Sequence, residues 1–301
     1  VIVPGYCEGD LAGIEAAVGC LVERGPRDLR QLPEWFGMQG KIDEGYGEYD
    51  IEILAEINHA PRMVLSEILK QADALRSRGA DVIDVGCDPG SVWADVSECV
   101  RALRDEGHRV SIDSLNPQEI APAVRAGAEL VLSVNASNRE AAADWGCPVV
   151  AIPDHPVSLA GLHETLEVLM TAQVPYRVDP VLEPIGMGFA ASLGRYMEHR
   201  RQHPSDEMLM GIGNLTELTD VDSAGVNVIL LAICQELGIR SVLTTEVINW
   251  SRTSVTECDL ARRLVYHAVR QGTLPKHLEP ALVTLRDPRL LWPSSDEMDQ
   301  L

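Results

Sequence analysis

The strongest constraint on this chain is a repeated unit. Between residues 51 and 272 a short apolar run is followed by an amphipathic stretch of helical length, eight times over. The strand candidates are IEILAEI (51–57), DVIDVG (81–86), RVSID (109–113), ELVLSV (129–134), PVVAI (148–152), YRVDPV (176–181), MLMGI (208–212) and SVLTT (241–245). The stretch VLSEILKQADALRSRG shows the helical half, with Leu65, Leu69, Ala72 and Leu75 three or four apart and Gly79 as the stop. Such alternation demands a parallel sheet with helices packed against it. Eight units with no strand left over fit a closed α/β barrel, a (β/α)8 TIM barrel, better than an open doubly wound sheet.

Residues 1–50 do not share this period. They read as a strand in VIVPGY, a helix near 10–18, a strand in CLVERG and a helix near 28–36, with GKIDEGYGEYD (40–50) as a linker. The expectation is a remnant of a small N-terminal α/β domain (1–50), a barrel over 51–272, and a C-terminal extension (273–301) whose polar tail PSSDEMDQL frays. The abrupt opening on VIVPGY suggests that a segment precedes it.

Charge and cysteine usage narrow the partners. A formal charge of -21 repels phosphate backbones and anionic headgroups, so neither nucleic acid nor a membrane surface is an expected partner. No run of 18 apolar residues and no basic-then-apolar leader is present, which points to a cytoplasmic protein. The 7 cysteines contain no Cys-x-x-Cys pair, so neither a zinc knuckle nor a disulfide framework is indicated.

In a β/α barrel the reacting groups stand at the carboxyl ends of the strands, where the loops converge. Those positions hold Glu56 and Asn58, Asp84 and Asp88, Asp113, Asn135, Asp154 and His155, Asp179, Asn214, then Glu246 and Asn249. Nearly all are carboxylates or amides, which suits a ligand rich in N–H donors and carbonyl acceptors. A strand-end Asp or Asn is often only a turn residue or helix cap. For Asp113 that reading is weak, because Asn116, Pro117 and Glu119 already supply cap, first helical proline and early negative charge. Asp179 lies in an apolar strand and needs a donor, from a ligand or from Arg177 two residues back on the same face. His59 and His155 are weaker candidates as metal ligands with Glu56 or Asp154, since no His-x-His or His-Glu-x-x-His spacing occurs. Met187, Phe189 and Trp250 are candidates to wall a ring, although apolar residues there more often simply pack.

Four motifs at successive strand ends, SIDSLNP, SVNASN, RVDPVLEP and MGIGNLTEL, resemble the pterin-binding barrel superfamily. That group holds the dihydropteroate synthases and the methyltetrahydrofolate:corrinoid methyltransferases, and the likeness runs from about residue 51 to residue 272. The resemblance implies that Asp113, Asn135, Asp179 and Asn214 hold a pterin ring, Asp179 accepting from its 2-amino group and adjacent ring N–H. EINHAP matches the first strand, with Asn58 as the synthase asparagine near diphosphate and Mg2+, and GADVIDVGCDPG makes Asp84 the counterpart of the second-strand aspartate. Two departures stand out. The synthase lysine after the seventh strand is replaced by Asn214-Leu215-Thr216, and the Arg-x-His of the eighth by TTEVIN. Asn214 instead follows the methyltransferase pattern, where the amide lies near N5.

As a whole the chain is most similar to the dihydropteroate synthase-related proteins associated with tetrahydromethanopterin-type cofactors. This implies a transferase of folate or tetrahydromethanopterin one-carbon metabolism, with Asn58 and Asn214 as catalytic candidates and a homodimeric state. The synthase reaction would join an aryl amine to a pterin methyl diphosphate with Mg2+, Arg62 or Arg252 standing in for the missing basic groups. The alternatives are methyl transfer from a reduced pterin to a corrinoid partner, and a protein that binds pterin without turning it over.

Overall fold

The computed structural model describes residues 1–7, 9–26, 32–37, 45–155, 157–276 and 278–282. The tail expected to fray, and parts of the helix near 28–36 and of the linker, lie outside them. Two compact units are present, Val1–Tyr46 with Lys276–Pro280, and Gly47–Pro275 with Ala281–Leu301. In the first, Ile2–Val3 pairs in parallel with Glu23–Arg24, and helices cover Ala12–Val18 and Leu32–Trp35.

The second unit is the barrel. Its strands are β1 (Glu52–Ile57), β2 (Val82–Gly86), β3 (Val110–Asp113), β4 (Leu130–Val134), β5 (Val149–Ala151), β6 (Tyr176–Val178), β7 (Leu209–Gly211) and β8 (Ser241–Thr244). All neighbours pair in parallel from β6 back to β1 and on through β8 to β7. A parallel bridge between Val178 and Met208, with the Val178 N–H on Glu207 O at 2.8 Å, brings β6 to β7 and closes the cylinder.

Seven longer helices pack outside: α1 (Leu65–Ser77), α2 (Val96–Asp105), α3 (Pro117–Ala126), α4 (Leu162–Thr171), α5 (Phe189–Gln202), α6 (Ser223–Leu237) and α7 (Ser254–Gln271). α1 buries Ile68, Ala72 and Leu75, and Gly79 takes φ +113° just past its end, as the spacing predicts. Asn116 caps α3 by accepting from the Gln118 N–H at 3.0 Å, with Pro117 first in the helix. Two expectations are corrected. The unit after β4 carries a 3-10 helix, Arg139–Asp144, in place of an α-helix. β6 stops at Val178 and not at 181, because Pro180 has no N–H to donate and Val181 turns to φ +64°. None of the described helices is long and apolar enough to cross a membrane.

Strand alternation divides the core in two. Ile53, Ala55, Ile57, Ile83, Val85 and Ile112 face outward into the large cluster shared with the helices. Leu54, Val82, Leu130, Leu132, Val150 and Leu209 form a smaller cluster inside the cylinder. Beneath it, Glu52 accepts from Arg109 at 2.6 Å and from Arg177 at 2.7 Å, and Arg109 reaches Glu129 at 2.6 Å. These pairs close the N-terminal end with balanced charge. At the opposite end the inward positions after Leu54 and Val82 are Glu56 and Asp84, and there the balance fails.

Candidate functional site at the barrel mouth

Glu56 and Asp84 are register partners on β1 and β2, Asp84 pairs with Ser111, and Gly86 pairs with Asp113. Gly86 matters because a β-carbon there would lie 2.5 Å from Glu56 Oε1. The absent side chain lets Glu56 lean across β2 toward Asp113. As a result one oxygen each of Glu56, Asp84 and Asp113 lies within 4.8 Å of the other two. Donors are few. The Ser111 hydroxyl donates to Asp84 Oδ1 at 2.5 Å, and the Ser133 hydroxyl donates to Asp113. The Asn58 amide donates to both Glu56 oxygens at 3.2 Å. Asp84 Oδ2 is fully buried and accepts nothing. Burial therefore pushes all three carboxyls above their ordinary range, Glu56 to about 8 with the Asp113 and Glu217 charges adding to the effect.

A second group surrounds Gly211. Asp179 Oδ1 accepts from the Val181 N–H at 2.8 Å and from the Tyr196 hydroxyl, and the Gly211 N–H adds a further bond. A β-carbon on Gly211 would sit 3.5 Å from Asp179 Oδ2 and 3.9 Å from Asn214 Nδ2, so the two side chains flank that glycine. Burial raises the Asp179 carboxyl to about 6, and the three donors limit the rise. Asn214 Nδ2 also donates to Leu182 O at 3.0 Å. The carboxylate's bend is held by Val181, a β-branched residue at φ +64°.

The structure thus brings Asp84 and Asp113 together with Glu56, and Asp179 together with Asn214, all at the carboxyl ends of the strands. Asn135 is placed differently: its Oδ1 accepts from the N–H and hydroxyl of Ser137 at 2.9 and 2.7 Å, closing a turn in its own loop. Asn58 lies against Glu56. A cavity of about 720 Å3 opens over β1 to β4 at this end, lined by Glu56, Cys87, Asp88, Asp113, Asn116 and Ser133 among others; Asp179 and Asn214 stand outside its lining, and among the described residues no lysine or arginine is in its wall.

Several expectations are corrected. Arg177 does not serve Asp179; two strand residues span about 6.6 Å, and the guanidinium turns to Glu52 at the closed end. His59 pairs with Asp88 at 2.5 Å, and Arg62 holds the same carboxylate with two bonds at 2.8 and 2.9 Å. Arg252 donates to Asn249 at 3.0 Å, so neither arginine lines the cavity. Among the described residues the groups of potential metal ligands include neither His59 nor His155. Asp154 accepts from the Ala136 N–H at 2.9 Å. The Trp250 indole is tied to Thr216 O at 2.9 Å, and Met187 is exposed.

Sequence reasoning missed four contributors. Ser111 sits in phase with the inward Asp113, and that alternation would have found it. Ser133 escaped because it takes φ +66° where the β4–β5 register shifts. Glu217 lies one turn past β7 with Oε1 buried and without a partner. Tyr196 is an interior residue of α5 whose hydroxyl reaches Asp179, a contact no local pattern announces.

Comparison with known proteins bears on the fold that carries these residues. Residues 60–158 match the family described as pterin binding enzyme. An uncharacterized protein of Methanocaldococcus jannaschii is 31% identical over 270 residues, 83% of this chain and 51% of that protein, so the chain spans about half the length of this relative. Dihydropteroate synthase of Yersinia pestis, solved with a pterine-sulfa conjugate, superposes with a TM-score of 0.58 at 20% identity, covering 74% of this chain and 94% of that one. The Xanthomonas albilineans synthase with 4-aminobenzoic acid gives 0.58 at 19% identity over 73% and 93%. The Clostridium difficile synthase, solved in the presence of pteroic acid, gives 0.57 at 18% identity over 75% and 98%. Residues 60–158 are thus similar to the pterin binding enzyme family, and the cylinder has the (β/α)8 barrel fold that these dihydropteroate synthases adopt.

Proposed function

We propose that the chain binds a pterin flat across the barrel mouth and transfers a group at it, as a dihydropteroate synthase-like transferase. The observation that carries this reading is the Asp179–Asn214 pair around Gly211. A carboxylate has about four acceptor positions, and three are used by Tyr196, Val181 and Gly211. The one position left suits a single donor of the pterin edge, its 2-amino group or its ring N–H, while the Asn214 amide suits a ring nitrogen or carbonyl. Asp113 and the free Nδ2 of Asn135 would meet other edge atoms. In this reaction an aryl amine forms a C–N bond to the pterin methylene as the C–O bond to diphosphate breaks. Asn58 and Asp84 would hold the Mg2+ that assists departure of the diphosphate, and the mouth would position the two reactants.

One observation favours a second reading. Among the described residues the cavity wall carries no lysine or arginine to meet a diphosphate, and burial raises the Glu56 carboxyl to about 8, so that it holds its proton at neutral pH. A protonated acid beside an amide suits methyl transfer from a reduced pterin to a corrinoid, where a ring nitrogen leaves and gains a proton. Titration calorimetry with pterin, pterin methyl diphosphate plus Mg2+, and a methylated reduced pterin separates the two. Tight binding of the diphosphate only with Mg2+, followed by aryl amine consumption, supports the synthase; methyl loss on adding cob(I)alamin supports the transferase. Binding without turnover leaves a pterin-binding protein. Unchanged pterin affinity in Asp179→Ala would remove the ring site itself.

A further inference from the structure

We infer that Glu56, Asp84 and Asp113 form a binding site for one hard divalent cation, of the Mg2+ or Mn2+ kind, on the floor of the mouth. The three oxygens lie within 4.8 Å of one another, a spacing that a six-coordinate ion with bonds of about 2.0 to 2.6 Å accommodates. No ion pair among the described residues involves any of the three. The decisive atom is Asp84 Oδ2. It belongs to a residue with no solvent exposure and accepts no hydrogen bond, although the other oxygen of the same carboxyl is satisfied by Ser111. A buried acceptor left open beside two further carboxylates is a vacancy for positive charge.

The donor set decides the class of ion. Carboxylates with two neighbouring hydroxyls, Ser111 and Ser133, suit an oxygen-loving ion, and neither imidazole nor thiolate is in the group. Gly86 is part of the construction, because any side chain there would displace Glu56 from the triangle. Glu56 and Asp113 also line the cavity, so an ion held by them faces whatever occupies it. Such an ion would give the acidic wall a cationic element able to receive a diphosphate or an enolic oxygen. This assignment shares Asp84 and Asp113 with the proposed reaction but uses neither Asp179 nor Asn214, so the failure of one is distinguishable from the failure of the other.

The test is Mn2+ titration of the chelator-stripped full chain, followed by electron paramagnetic resonance at pH 7.5 without pterin. One equivalent of bound Mn2+ is expected, displaced by Mg2+, with affinity reduced at least about tenfold in both Asp84→Asn and Glu56→Gln and unchanged in Asp179→Ala. Both substitutions keep side-chain volume, and circular dichroism reports whether each variant folds; if Asp84→Asn does not, Glu56→Gln decides alone. Mn2+ remaining free up to about 1 mM, the weak end of protein divalent sites, overturns the inference. Binding equal to wild type in a folded variant also overturns it. Pterin binding by a chain that takes no Mn2+ would sink this site and leave the pterin reading intact; Mn2+ binding without pterin affinity would do the reverse.

Discussion

Glu56 and Asp84 face each other in register across β1 and β2, two carboxyls where the positions just below, Leu54 and Val82, are apolar. With Asp113 they form an acidic cluster whose protonation, in the absence of metal, is coupled to folding.

That coupling fixes the pH dependence of stability. Each of the three carboxyls has a folded-state pKa above its unfolded value, so the folded state holds protons that the unfolded state has released. The Glu56 contribution is therefore fully present below about pH 4.5 and is lost as pH rises to about 8, by up to about 1.4 kcal/mol per unit, and Asp84 and Asp113 act in the same direction. Urea unfolding in chelator-containing buffer should show a lower midpoint at pH 8.5 than at pH 6. Glu56→Gln should flatten the slope and exceed wild type at pH 8.5. A midpoint rising across this interval would contradict the burial of the cluster.

Ligand binding should depend on pH in the other direction. Burial raises the Asp179 carboxyl to about 6, and it must be ionised to accept from a ring donor, so pterin affinity should weaken about tenfold per unit below pH 6. Tyr196→Phe removes the hydroxyl donor that holds the carboxylate charged. The midpoint of the affinity profile should then move upward, with a loss of about 1 kcal/mol in folding stability. Fluorescence titration of pterin from pH 5 to 8 reads the midpoint, and an unmoved one would exclude Tyr196 as a positioning residue.

Gly86→Ala tests the acidic cluster sterically. The new methyl would stand 2.5 Å from Glu56 Oε1 and 3.3 Å from Ile57 O, so Glu56 must swing away while the backbone gives slightly. A destabilisation of about 1 to 3 kcal/mol is expected by thermal melting, together with weaker Mn2+ binding.

Arg262 governs the frame and not the mouth. Its guanidinium is almost fully buried and meets Asp81, Asp259, Ile51 O and Gly79 O at 2.5 to 3.2 Å, beneath the Tyr49 ring 3.6 Å away. Arg262→Ala leaves Asp81 without its ionic partner, while Asp259 keeps Arg263, and with the carbonyls of Ile51 and Gly79 also left open it should cost about 3 kcal/mol. Arg262→Lys should recover little, since one ammonium does not replace the planar set of donors. Denaturant midpoints of the two variants compare the claims.

The barrel was legible because its signal is periodic and repeated. Leu65, Ala72 and Leu75 announce α1, and Asn116 with Pro117 announces the start of α3, each through local rules. The strand-end principle likewise placed Asp84, Asp113, Asp179 and Asn214 at one end of the cylinder. What it did not supply was partnership. Arg177 and Asp179 share a face in sequence yet serve opposite ends, because a long side chain chooses among charges that only the closed sheet brings near. Glu56 gained its place through the emptiness at Gly86 on another strand, and Tyr196 found Asp179 from a helix 17 residues on. Such pairings depend on barrel curvature and stagger, which a linear pattern does not encode.

The ion pairs of Glu52 with Arg109 and Arg177 make the cylinder a blind alley, shut below the Leu54 and Val82 layer. Molecules therefore enter and depart through one doorway. On the proposed reaction, a planar guest seated lowest would have to arrive before its co-reactant and exit after the other product, a compulsory sequence of events.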